Sequence, residues 1–160
     1  MSRILVVRGT ETFSPVRKCL EEQHELYFAN DIETAVGVLR QLDTNIDLVI
    51  GNVYEEVDLF ELITQVKRDV ALRAVPFLCL SHERSIKASK FDQTLERAAL
   101  LCGADKYLSM DLFCSAKAKT SACSNCPFLG DGCDYKGLRE AIEEIIDRSQ
   151  KKNDSQLILV

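Results

Sequence analysis

Residues 47–52 read DLVIGN, and how this stretch is read decides the fold. Leu48, Val49 and Ile50 run together with no polar residue between them, after the turn residues Asp43, Thr44 and Asn45. A strand with one wet face alternates apolar and polar side chains. An unbroken apolar run bounded by turn residues is instead a strand buried on both sides, in a sheet with helices packed on each face.

Working outward from it, four more stretches have strand character. They are ILVV after Arg3 in residues 3–7, ELYFA at 25–29, VPFLCLS at 75–81, and a strand within GADKYLSM at 103–110. Helical periodicity fills the intervals. Ser14 as N-cap and Pro15 in the first turn open a helix through about Gln23, with Val16, Cys19 and Leu20 inward. Asn30 and Asp31 cap DIETAVGVLRQL, whose inward side is Ile32, Ala35, Val36 and Leu39. Asp58 caps a third helix with Leu59, Leu62, Ile63 and Val66 as its stripe. A fourth is predicted from about Glu83 to Leu101, patterned by Leu95, Ala98, Ala99 and Cys102, and Gly103 stops it. The last runs from Tyr135 to Arg148 with Leu138, Ile142, Ile145 and Ile146 inward. Residues 149–160 are polar and then apolar, and the sequence leaves them open as a loose end or a short docking strand. Strands alternating with helices predict one α/β domain, residues 1–148, built on a five-stranded parallel sheet. Right-handed crossovers put the carboxyl ends of all strands on one edge, where such sheets bind ligands.

The 160 residues are 46% hydrophobic and 28% charged, enough for one well-buried domain. A net charge of −5 with both signs interspersed leaves no basic stripe for nucleic acid. No apolar run approaches the roughly 18 residues that span a bilayer, and MSRILVVRGTE has no signal-peptide pattern, so the expected location is cytoplasmic. Thiols stay reduced there, and clustered cysteines read as metal-binding or redox-active before they read as disulfides.

Such a cluster is present. Four of the seven cysteines, Cys114, Cys123, Cys126 and Cys133, fall in CSAKAKTSACSNCPFLGDGC, spaced C-x8-C-x2-C-x6-C. Pro127, Gly130 and Gly132 punctuate the stretch, and neither strand nor helix periodicity runs through it. Four thiolates can form a tetrahedral shell and organise a loop that has no core of its own. A 4Fe–4S cluster is favoured, because the uneven spacing resembles the single-loop motif of some DNA-repair glycosylases and Pro127 follows Cys126 directly. Zinc is the alternative. The bland reading is a staple that senses nothing, and Lys117 and Lys119 in the same stretch read as solvated.

Other reactive side chains have plain readings. Cys19 and Cys79 are small core residues, His24 is an exposed turn residue, and Glu55 and Glu56 are adjacent solvated carboxylates. Ser81 has no histidine–carboxylate pair that the sequence places beside it; His82 is next in the chain and points to the opposite face if the strand continues.

ILVV, DLVI, the DLFELI helix start, VPFLCLS and GADKYL, in that order and spacing, resemble the receiver domain of bacterial response regulators. The resemblance implies a flavodoxin-like doubly wound sheet. It also implies a phosphoacceptor aspartate, an acidic pair for Mg²⁺, a hydroxyl on the fourth strand and a lysine on the fifth. Here the phosphoacceptor position is Asn52, the acidic pair is replaced by Arg8 and Gly9, the hydroxyl is Ser81, and the lysine position is Met110. The aromatic switch position is Tyr107, whose plain reading is a packed, half-exposed ring. An amide accepts no phosphoryl group under ordinary conditions, and Mg²⁺ wants carboxylate oxygens, so no Mg²⁺ is expected. The chain therefore reads as a non-enzymatic pseudo-receiver. Its longer fourth helix and cysteine-bearing stretch both flank the face around the fourth helix and fifth strand, which receivers use for partners. Another signalling protein is the expected partner there, with a homodimer as a further candidate.

Overall fold

The computed structural model describes residues 1–7, 14–41, 45–52, 58–81, 86–113 and 134–158. Five strands, β1 (Arg3–Val7), β2 (Glu25–Ala29), β3 (Leu48–Asn52), β4 (Phe77–Ser81) and β5 (Lys106–Ser109), pair in parallel in the order β2-β1-β3-β4-β5. Five helices accompany them: α1 (Ser14–Leu20), α2 (Ile32–Arg40), α3 (Leu59–Arg68), α4 (Ile86–Cys102) and α5 (Tyr135–Ile158). A short 3-10 helix, Met110–Phe113, follows β5. This is the parallel sheet that the apolar runs predict, in the flavodoxin-like doubly wound order that the receiver resemblance implies. The strand order reverses direction between β1 and β3.

Every residue of β3 and β4 is buried, as two covered faces require. Alternate residues go to opposite sides. Ile4, Val6, Leu48, Ile50, Leu78 and Leu80 pack under α1 and α5 against Leu20, Leu138 and Ile142. Leu5, Val7, Val49, Phe77 and Cys79 pack under α2, α3 and α4 against Ala35, Leu62, Ile63 and Ala99. Each fully buried Leu, Ile, Val or Phe contributes about 1.5–3 kcal/mol of burial, so both layers are needed. No helix among the described residues is long and apolar enough to cross a membrane.

Short-range chemistry fixes the helix ends. Asp31 accepts the Thr34 N–H at 2.7 Å, Asp58 that of Glu61 at 3.1 Å, and Asp134 that of Gly137 at 2.9 Å, each a side chain capping its helix. At the end of α4, Ala104 N–H donates to Ala99 O and Gly103 N–H to Leu100 O, with Gly103 at φ +114°. That pair of bonds is a Schellman closure, which explains why a glycine stands there. On the amino edge, Lys67 Nζ donates to Arg73 O, Val75 O and Asp105 Oδ2 at 3.1, 2.8 and 2.8 Å, using all three ammonium donors. Asp105 Oδ2 also takes the Phe77 N–H at 2.7 Å, so one clasp joins α3 to the starts of β4 and β5.

Four expectations need correction. Helix α1 ends at Leu20 rather than near Gln23, because Gln23 and His24 N–H groups both turn back to Leu20 O. The last helix passes Arg148 and runs to Ile158: the apolar stripe ends, but no glycine or proline stops the backbone. Thus 149–158 is neither a loose end nor a docking strand. His24 is not exposed; its side chain is only 9% accessible. Its Nδ1 accepts the Ser2 N–H at 3.3 Å, so the ring proton sits on Nε2 and faces Glu143 Oε1 of α5 at 2.9 Å. Nothing local in the sequence pairs residue 24 with residue 143. The fourth correction, at Tyr107, belongs to the site.

Candidate functional site

The carboxyl edge gathers the ends of the strands. Register pairs Val7 with Gly51, Asn52 with Leu80, and Ser81 with Ser109, so Asn52, Ser81 and Ser109 are terminal residues of neighbouring strands. Asn52 and Ser81 are the two buried polar residues of the described core, 5% and 0% exposed. Gly51, just before Asn52, lets the start of α3 lie close, since a Cβ there would meet the Leu59 side chain.

Ser81 Oγ is fully buried and finds no hydrogen-bond partner among the described residues. Leaving a hydroxyl in that state costs about 1–3 kcal/mol, the kind of debt that functional positions carry. Met110 is 1% exposed and belongs to the apolar layer under α1 and α5, with Leu108 and Leu80. At the position where the receiver resemblance implies an ammonium, the chain supplies packing and no charge. Asn52 and Ser81 thus end β3 and β4, and Met110 directly follows the last residue of β5. Arg8, Gly9 and the carboxylates Glu55 and Glu56 lie outside the described residues.

Tyr107 is buried, not half-exposed, at 7% accessibility. Its hydroxyl donates to Asp92 Oδ1 at 2.8 Å, and Ser109 Oγ donates to Asp92 Oδ2 at 3.2 Å. One carboxylate on α4 thus holds two side chains of β5, and it keeps the ring turned in. Sequence reasoning missed Asp92. The signal was available: Asp92 stands two turns before Ala99 on the inward stripe of α4, where a charged residue needs a buried reason.

Cys114, Cys123, Cys126 and Cys133 all lie outside the described residues, so their mutual placement is not part of the geometry. What is described is how the chain leaves and re-enters the domain. Asp134 N–H donates to Phe113 O at 2.8 Å, so the residues on either side of 114–133 are bonded to each other. Phe113 and Tyr135 both pack against the α1/α5 core layer. The described chain thus breaks off at Phe113, just past the carboxyl end of β5, and resumes at Asp134 beside it. Among the described residues, no group of three or more His, Cys, Asp or Glu side chains is placed to hold a metal.

The other two readings of cysteines stand on burial. Cys19 and Cys79 are 2% and 0% exposed, and burial pushes both thiols up to about 12. They are core residues without nucleophilic character at neutral pH.

No protein-family model matches the sequence, and no curated protein matches it. The fold does have solved counterparts. The signal receiver domain of an HD domain-containing protein from Pseudomonas fluorescens Pf-5 superposes with a TM-score of 0.66 at 18% identity, covering 96% of this chain and 92% of its own. A response regulator from Thermotoga maritima gives 0.62 at 21% identity, covering 92% and 98%. The receiver domain of the Francisella response regulator 1452 gives 0.61 at 14% identity, covering 93% and 99%. At these identities the likeness establishes the receiver-type fold.

Proposed function

We propose that this chain is a non-enzymatic signal-transduction module of receiver type that works without phosphoryl transfer. Its regulated element is a metal centre held by Cys114, Cys123, Cys126 and Cys133, whose redox state or occupancy changes affinity for a protein partner. The observation that carries the reading is the buried pair of substitutions at the carboxyl edge. Asn52 offers an amide where chemistry would need a carboxylate, and Met110 offers a thioether inside the core where it would need a cation. A stranded hydroxyl, Ser81, is what remains of the site.

The partner face is the one formed by α4, β5 and the 3-10 helix. Of the six exposed large apolar side chains among the described residues, Phe91, Leu100 and Leu101 are on α4 and Leu112 is on the 3-10 helix. The others are Met1 and Val70. Scattered apolar residues are ordinary, but three of the six on α4 and a fourth just past β5 favour contact with another protein. Phe113 and Asp134, which flank the cysteine stretch in sequence, are bonded to each other next to the 3-10 helix, and this supports the reading that metal binding in the stretch changes what a partner meets.

A 4Fe–4S cluster gives a redox-responsive module, and zinc gives a structural staple on the same ligands. Anaerobic purification with a visible spectrum and elemental analysis for iron, sulfide and zinc separates the two. Replacing all four cysteines by serine is expected to abolish metal content and alter partner binding. If both stay as in the parent, the reading fails. Incubation with acetyl phosphate and Mg²⁺, followed by intact mass, is expected to show no phosphoryl adduct; an adduct would return the chain to ordinary receiver chemistry.

A further inference from the structure

We propose that the opposite, amino edge of the sheet carries a second site: a cationic cleft that binds the phosphate groups of a small anion. A cavity of about 470 Å³ lies between the starts of β4 and β5 and the late turns of α5. Its size falls within the range of small-molecule sites, about 300–1,000 Å³. Ser81 is at the other end of β4, so this cleft is separate from the carboxyl-edge site.

The charges carry the argument. Arg73 and Lys106 enter from the sheet edge, and Arg148 and Lys152 enter from α5. Against these four cations stands one lining carboxylate, Asp105, and its Oδ2 already accepts from Lys67 Nζ and Phe77 N–H. Arg148 is paired with Glu144 on the helix surface at 2.6 Å. The charged groups of Arg73, Lys106 and Lys152 have no hydrogen-bond or ion-pair partner among the described residues. The chain as a whole is acidic, with 25 Asp and Glu against 20 Lys and Arg, so this cluster runs against its composition. Gathered cations repel one another, and an anion of two or more charges turns that repulsion into binding. Arg73 supplies a planar fork suited to phosphate, and the two lysines supply point charges.

The cleft exists because α5 does not stop at Arg148. Ser149, Lys152 and Asn153 form its helical wall and add hydroxyl and amide donors for phosphate oxygens. Pro76 and Ile145 give a small apolar floor on which the organic part of a nucleotide would rest. A concave site of this size suits a small phosphorylated molecule better than a strand or helix of a partner.

The test uses the full chain, labelled with 15N, titrated at low ionic strength with ADP and separately with inorganic tripolyphosphate. Saturable amide shifts are expected at Arg73, Lys106 and Ser149 to Asn153. Lys106→Glu and Lys152→Glu are each expected to weaken binding about tenfold or more. Arg73→Glu is the independent check, and all three side chains are solvent-facing, so circular dichroism should show the parent fold. Tighter binding of ADP than of tripolyphosphate identifies an organic phosphate; the reverse identifies an inorganic one; either supports the site. Absence of saturable shifts with both probes to about 10 mM overturns it. So do shifts that survive the charge reversals, and so does binding only to an acidic peptide such as poly-glutamate, which would make the patch a protein contact.

Discussion

The proposed absence of phosphoryl transfer turns on Asn52, and its burial makes the point testable. An aspartate placed there by Asn52→Asp would put a carboxylate at a position only 5% exposed. Residue 110 is a methionine and offers no ammonium to meet it, and under the proposed reading Arg8 stands where the receiver resemblance implies a Mg²⁺-binding carboxylate. We expect Asn52→Asp to lose about 1–3 kcal/mol in urea denaturation and still to form no adduct with acetyl phosphate. Gain of an adduct by this single change would mean that the rest of the pocket is intact. Asp92 is the second residue with a decided role. Tyr107→Phe removes the 2.8 Å bond to Asp92 and leaves that of Ser109, an expected loss of about 1–2 kcal/mol. Asp92→Ala removes the acceptor of both hydroxyls at once, so it should cost more than Tyr107→Phe, and the double variant should fall short of the sum. Additive effects would show that the three side chains do not act as a unit.

Among the elements, α4 illustrates how a local rule and a tertiary clasp meet. Gly103 sits at φ +114°, a conformation that a side chain resists by about 1–2 kcal/mol, and a Cβ there would stand 2.8 Å from Lys67 Cγ. Lys67 is the residue whose ammonium holds Arg73 O, Val75 O and Asp105. Gly103→Ala should therefore cost more than a cap alone, about 2–3 kcal/mol in chemical denaturation, and should raise amide exchange at Val75 and Phe77 as well as in the last turn of α4. A loss confined to α4 would separate the cap from the clasp. Element ends were legible where a cap residue marks them: Asp31, Asp58 and Gly103 were read correctly from the sequence. They were illegible where the apolar pattern and the backbone part company. Beyond Ile146 the stripe of α5 fades, yet residues such as Gln150, Lys151 and Lys152 sustain a helix without any buried face.

At the scale of the molecule, the strand-like stretches and the capped helices between them were enough to read a parallel α/β sheet, while its doubly wound strand order was legible only through the receiver resemblance. The site was legible only in part. Asn52, Ser81 and Met110 follow from position along the strands, whereas His24–Glu143, Asp92–Tyr107 and the basic cleft depend on contacts between residues distant in the chain. The two buried thiols offer a measure of the whole fold, one on each side of the sheet: Cys19 in the α1/α5 layer and Cys79 in the α2–α4 layer. Both are held near 12 by burial, against an ordinary 9.0 for an exposed thiol. Below pH 9 native and unfolded chains keep these protons alike, and stability is untouched. Above pH 9 the unfolded chain releases them while the folded one retains them, so stability falls as pH rises toward about 12. The ceiling is about 1.4 kcal/mol per pH unit for each thiol. Urea midpoints at pH 8 and pH 10 would be compared in a background with Cys114, Cys123, Cys126 and Cys133 replaced by serine. Cys19→Ala and Cys79→Val should each flatten the decline, since tyrosines and lysines titrate equally in all the proteins. Unchanged slopes in both variants would mean that the thiols ionise in the native state, and that the two layers are open to water.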